Sequence, residues 1–187
     1  MSLLRLFPDD QDPTRFEDHR ALEDIARVAG QTGVRFERWD AIRPLSPGAP
    51  QDEVLLAYRD SVERLKRERG FVAVDVIAVG PHTPEPQVLR AKFLEEHTHS
   101  EDEARFFVDG SGVFYIHLHG QVLVLLCQRG DLINVPAGVT HWFDMGAAPR
   151  FSCIRLFNNP SGWVARFTGS PIASLFPRFE VVREAHG

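Results

Sequence analysis

Apolar positions along this chain change their period partway through, from mixed helical and strand spacing to short strands. Between Phe16 and Val28, Leu22, Ile25, Ala26 and Val28 recur near helical intervals, which predicts a helix stopped at Gly30. Val34 to Trp39 alternates as a half-buried strand does. After a turn-rich stretch holding Pro44, Pro47 and Pro50, Val54, Leu55, Tyr58, Val62 and Leu65 line one side of a single helix from about Glu53 to Arg69, closed by Gly70. Phe71 to Val79 reads as a buried strand. Pro81, Pro84 and Pro86 then break the chain ahead of a short helix from Val88 to Leu94. From about Glu103 the pattern is strands parted by Gly and Asn: Arg105 to Val108, Val113 to His119, Val122 to Gln128, Leu132 to Val135, His141 to Asp144, Phe151 to Phe157 and Trp163 to Phe167. Such closely spaced short strands predict an antiparallel barrel or sandwich.

Length and composition narrow the picture. The 187 residues suit one buried core, so a single domain over residues 1–187 is expected. Charged residues make up 25% and the net charge is −5, which offers no basic footprint for nucleic acid and no polybasic patch for acidic lipid. A small-molecule partner is favoured by elimination. The opening run Leu3-Leu4-Arg5-Leu6-Phe7 is shorter than a signal-peptide core, and no segment has the length of a membrane span. Cys127 and Cys153 lie in hydrophobic runs, so buried free thiols and a cytoplasmic setting are expected.

Candidate chemistry gathers in two places. The first is His97-Thr98-His99 followed by Glu103 and Gly110; the second is Gly130, Pro136, Gly138 and His141. Imidazole and carboxylate donors without a thiolate pair suit an open site for Fe, Ni, Mn or Zn rather than a closed structural zinc site. If the segment from His97 to Phe107 is extended, His97, His99, Glu103, Arg105 and Phe107 share one face while Asp102 and Phe106 share the other. Arg105 then has two readings: a fixed cation that binds an anionic substrate, or an ion pair with Glu101 or Glu103. His117 and His119 form a second His-x-His pair, but no carboxylate follows at a matching interval, which favours a structural or solvent-facing role. His19, His82 and His186 fall outside any such frame.

These two frames resemble the paired motifs of the cupins, H-x-H-x(3)-E-x(6)-G from His97 to Gly110 and G-x(5)-P-x-G-x(2)-H-x(3)-N from Gly130 to His141. The chain departs at Ala91, where the first motif usually has a leading Gly, and at Met145, where the second ends in Asn; neither is a ligand position. A more specific likeness lies in residues 34–39, 92–99, 101–108, 141–146 and 159–163, which resemble the acireductone dioxygenase family of the methionine salvage pathway. It runs from about Leu4 to Phe179 and leaves out the last residues, through Gly187. The resemblance implies a mainly β fold with α elements, a cupin double-stranded β-helix (an antiparallel jelly-roll barrel) with N-terminal helices. It implies a monomer holding one Fe(II) or Ni(II) through His97, His99, Glu103 and His141.

The same likeness implies a small-molecule substrate, acireductone (1,2-dihydroxy-3-keto-5-methylthiopentene), and O2. The expected products are 4-methylthio-2-oxobutanoate and formate with iron, or 3-methylthiopropanoate, formate and carbon monoxide with nickel. It implies that Arg105 favours the substrate dianion, that Glu96 assists metal incorporation and that Asp102 transmits conformational change. Glu96 reads equally well as a solvated charge and Asp102 as an ordinary turn or salt-bridge residue. Phe93, Phe143 and Trp163 are candidates for holding the methylthio tail or, equally, core aromatics. Two rivals stand beside this reading: a different metal-dependent cupin dioxygenase and a metal-free cupin binding module.

Overall fold

In chain order the elements are β1 (Leu3–Pro8), β2 (Glu17–His19), α1 (Leu22–Gln31), β3 (Arg35–Arg38), α2 (Gln51–Ala57), α3 (Arg59–Arg69), β4 (Ala73–Val79), α4 (Pro86–Phe93), β5 (His97–Thr98), β6 (Glu103–Leu118), β7 (Gln121–Gln128), β8 (Asp131–Val135), β9 (Thr140–Asp144), β10 (Phe151–Phe157), β11 (Arg166–Phe167) and α5 (Phe179–Glu184), with one 3-10 turn at Ile172–Ser174. The computed structural model describes residues 1–10, 12, 14–40, 45, 46, 48–159 and 164–185.

Every described strand pairing is antiparallel, in two sheets joined by β6. One runs β11-β5-β9-β6-β7-β1-β2 and the other β4-β10-β6-β8-β3. The first half of β6 pairs with β8 and β10, its second half with β7 and β9. The sequence pattern predicts two strands here, ending at Val108 and restarting at Val113, yet the ladder is continuous over 16 residues. Gly110 makes this possible. Its φ of 72° bends the strand from one sheet to the other, and a Cβ there would lie 1.9 Å from the Arg150 carbonyl oxygen.

Strand parity sorts the core into layers. Phe107, Phe114, Ile116, Leu125, Ile133 and Phe143 belong to a buried cluster between the sheets, which α1 joins through Ile25, Val28 and Ala29 at helical spacing. Phe106, Val108, Leu132 and Ile154 point the other way, against α2 and α3. The outer face of the other sheet, carrying Tyr115, Val124 and Trp142, is covered by Ala173, Phe176, Phe179 and Val182 of the C-terminal segment. Arg90 of α4 clamps this arrangement: its guanidinium donates to both Asp144 carboxylate oxygens, at 2.7 and 3.0 Å, while Asp144 also accepts from the Phe179 and Gly146 amides.

Several predicted elements shift. Glu17–His19 is a strand on β1 rather than the start of a helix, and α1 runs through Gly30 to Gln31, with Gly33 taking the left-handed turn at φ 80°. The single helix expected over 53–69 is two, parted at Tyr58 (φ −110°), a buried side chain whose ring sits 5.0 Å from that of Phe106. Gly70 closes α3 at φ 70°, as its sequence position predicts. Strand β11 covers only the end of the expected 163–167 run, and Trp163 itself, like His186, lies outside the described residues. Cys127 and Cys153 are buried free thiols, and burial pushes both well above the usual thiol range. Among the described residues no helix is long and apolar enough to cross a membrane.

Candidate metal centre

Three strands and the turn between two of them deliver four donors to one point. His97 comes from β5, His99 from just beyond it, Glu103 from the first position of β6 and His141 from β9. Their ligand atoms all lie within 4.8 Å of one another, and the four side chains are buried. The segment from His97 to Glu103 is not one extended strand, because residues 99–102 turn between β5 and β6. The shared face survives the turn nonetheless. His97 sits directly across from His141 in the β5–β9 pair, and directly opposed residues point to the same side of a sheet.

The second glycine-proline frame supplies the turn that aims His141. Pro136 and Gly138 (φ 77°) reverse the chain between β8 and β9, and the Gly138 amide donates to the His99 carbonyl at 2.8 Å. Asp102 ties the same turn to the start of β6: its carboxylate accepts from the Ala137 amide at 3.0 Å and from the Asn134 side-chain amide at 3.4 Å. One end of the site is thereby knitted to the other.

Hydrogen bonds at the far ring nitrogens orient the imidazoles. His97 Nδ1 donates to the Glu95 carbonyl at 2.6 Å and His141 Nδ1 to the Val139 carbonyl at 2.8 Å, which leaves Nε2 of each as a lone-pair donor. Burial, then the neighbouring His141, pushes His97 down to about 4, so its ring is neutral near pH 7. His99 Nε2 and His141 Nε2 approach the same Glu103 oxygen, Oε2, at 3.0 and 3.2 Å. With its hydrogen on Nδ1, His141 has none to offer that carboxylate, and a cation between the two satisfies both. Three imidazole nitrogens and one carboxylate fit a borderline divalent metal that keeps further positions open.

Arg105 lies at the back of this set. Its Nε is 2.7 Å from Glu103 Oε1, the oxygen turned away from the histidines, so the ion-pair reading holds for Glu103. Glu101 is engaged elsewhere, by Ser100 and Asn159. Burial pushes the Glu103 carboxyl up, yet the group is held well below the usual carboxylate range, foremost by the charge of Arg105. The guanidinium is buried among the rings of Phe143, Phe114 and Phe93, whose centroids are 4.8, 5.3 and 5.7 Å from its central carbon. Phe143 is thus a core aromatic that cages Arg105, with Phe151 and Phe114 against its other sides. Phe93 is partly exposed.

Glu96 is no solvated charge: it is 4% exposed, and its oxygens accept from His117 Nδ1 at 2.8 Å and Thr168 Oγ1 at 2.5 Å. His117 also reaches Asp9 at 3.3 Å, a structural role as its sequence position suggests. His119 is exposed in the two-residue β6–β7 turn. Sequence reasoning overlooked Thr168 and Phe167, which reach the site through pairing of β11 with β5; their one local signal is a short exposed strand.

The model of the ARD/ARD' family matches residues 4–165. An acireductone dioxygenase of Pseudomonas aeruginosa strain UCBPP-PA14 is 53% identical over 182 residues, covering 96% of this chain and 99% of that protein. One from Hahella chejuensis is 51% identical over 98% of this chain and 99% of its own length. Among solved structures, an acireductone dioxygenase from Bacillus anthracis with a cadmium ion in its active centre superimposes with a TM-score of 0.78 at 26% identity, over 89% of this chain and 98% of that one. Together with the cupin architecture and the three-histidine, one-glutamate cluster, these matches place the chain in the ARD/ARD' family.

Proposed function

We propose that this chain is a metal-dependent dioxygenase that cleaves acireductone with O2, and that Fe(II) or Ni(II), one per chain, serves it. The observation that carries this reading is the convergence of His97, His99, Glu103 and His141 within 4.8 Å, in a chain of this family, with a buried arginine on the carboxylate's far oxygen. A bound divalent metal supplies Lewis acidity and a template that brings an enediol and dioxygen into one frame. The chain's own part is positional and electrostatic. The two Nδ1 hydrogen bonds orient His97 and His141 with Nε2 toward the site, and Arg105 keeps Glu103 ionised and turned toward the histidines.

Arg105 also supplies permanent positive charge in a water-poor setting, where it favours an ionised substrate over a neutral one. Asp102, bridging β6 to the Pro136–Gly138 turn, is the residue through which strain at the ligands would reach that turn, in keeping with the conformational role the family resemblance implies. A metal-delivery role for Glu96 has less support, because its carboxylate is already committed to His117 and Thr168. Phe93 is the described candidate for the methylthio tail that retains open surface; Phe143 is enclosed.

Product analysis after anaerobic reconstitution tests the assignment. The iron form is expected to release 4-methylthio-2-oxobutanoate and formate, and the nickel form 3-methylthiopropanoate, formate and carbon monoxide. Identical products from both preparations would remove metal identity as the determinant of the cleavage, and no turnover of acireductone by either would remove the substrate.

A further inference from the structure

A single line of cross-strand neighbours passes through the metal centre. Phe167 of β11 faces His97 of β5, His97 faces His141 of β9, and His141 faces Ile116 of β6. Directly opposed residues project to the same side of a sheet, so all four side chains belong to the face that holds the metal ligands. Along this line exposure falls from 46% at Phe167 to 7% at His97, 2% at His141 and 0% at Ile116. Phe167 is therefore the outermost member of the ligand face, at its mouth. Its ring stands edge-on to that of His97, with centroids 5.8 Å apart.

The ring is held there from the opposite face. Thr168, the next residue, donates its amide to the Glu96 carbonyl at 3.0 Å and its hydroxyl to the Glu96 carboxylate at 2.5 Å, and His117 braces that carboxylate from β6. What sets Phe167 apart from the chain's other exposed apolar side chains is its place: its ring is anchored against a metal ligand while nearly half its surface stays open.

We propose that Phe167 is a specificity-determining residue, the apolar wall along which the substrate's tail leaves the metal centre. The inference rests on the dioxygenase reading above and concerns where the non-reacting end of the substrate lies. The oxygen-bearing end must reach the donor set. Behind that set the buried Arg105 fills the space beside the buried rings of Phe143 and Phe114, which directs a tail of apolar atoms away from that side. It runs outward past His97, and among the described residues Phe167 is the aromatic ring that touches a metal-ligand ring from that side.

The test compares two enediols, acireductone and an analogue with the same head but a shortened alkyl tail, on metal-loaded full-length protein. Phe167→Ala is expected to raise KM for acireductone about fivefold, the scale of losing part of one apolar contact, with kcat and the KM of the short analogue unchanged. Phe167→Leu, which keeps apolar area, recovers most of the preference, and both variants keep the parent's metal content. Equal KM changes for both substrates, or no change for either, would overturn the proposal. So would faster metal release to a chelator with tail preference intact, which marks Phe167 as a shield for His97. A parent that turns over neither enediol overturns the dioxygenase reading as well, whereas parental turnover with an unaltered tail preference in Phe167→Ala overturns this inference alone.

Discussion

His97 and His99 are separated by one residue, as His117 and His119 are, yet the two pairs end in different chemistry. The first pair is buried, with ring centroids 4.9 Å apart, and meets His141 at 4.6 and 5.1 Å. In the second, His117 is a partly exposed hydrogen-bonding link between Glu96 and Asp9, and His119 sits in solvent. Backbone geometry separates them. His119 and Gly120 take φ of 54° and 75°, the twin left-handed residues of a tight hairpin, so the alternation that would place both rings on one face ends between them. The chain after His99 turns instead into β6 and brings Glu103 back against the rings. A His-x-His pair becomes a ligand pair when the fold returns a carboxylate and a third nitrogen to it. Through Glu96, which precedes His97 and accepts from His117, the second pair props up the first.

The comparison breaks or sharpens by substitution. The largest effect is expected from matched alanine variants: His99→Ala should weaken metal binding by more than the ten- to hundredfold typical of residues behind the ligands and remove nearly all turnover, while His119→Ala leaves both at parent level. Metal content by elemental analysis, read beside acireductone turnover, checks this, and stoichiometric metal in His99→Ala would dissolve the distinction between the pairs. Next comes Arg105, which the first pair's carboxylate has and the second pair lacks. Arg105→Ala should lower kcat/KM about a hundredfold, with Arg105→Lys recovering part, because an ammonium lacks the planar fork. The anaerobic absorbance of bound acireductone reports the loss directly, since less of the substrate is held as the dianion. Parental turnover in Arg105→Ala would leave the residue with its ion pair alone. The smallest effect belongs to His117: His117→Ala should weaken metal affinity only about threefold, below the usual range for a residue one bond from a ligand, and His117→Gln, which keeps a donor toward Glu96, should restore it. Competition with a chelator reads this difference.

What the sequence discloses follows the same line between local and returning contacts. The strands from Val122 to Phe157 are legible because short runs rich in Val, Leu, Ile and Phe are parted by turn residues such as Gly130 and Gly138. The ligands are legible because two glycine-proline frames coincide with them, and Arg105 follows from Glu103 by parity. Strand β1 is hidden by its own burial: Leu3 and Phe7 face the C-terminal segment and Leu4 the space between the sheets, so Leu-Leu-Arg-Leu-Phe shows no alternation. The break at Tyr58 answers to Phe106, 48 positions away by number, and the Phe167–His97 pairing to residues 70 apart. Neither leaves a trace in its neighbours along the chain.

Cys127 and Cys153 lie in the space that this architecture seals, and both remain in the protonated form in which sulfur is slowest to react. A protein whose proposed chemistry consumes dioxygen thus keeps its two thiols away from the solvent that carries the gas. The shielding lasts as long as the barrel stays closed. Alkylation by a thiol reagent therefore counts openings of the whole fold, giving a built-in clock for its lifetime in aerated buffer.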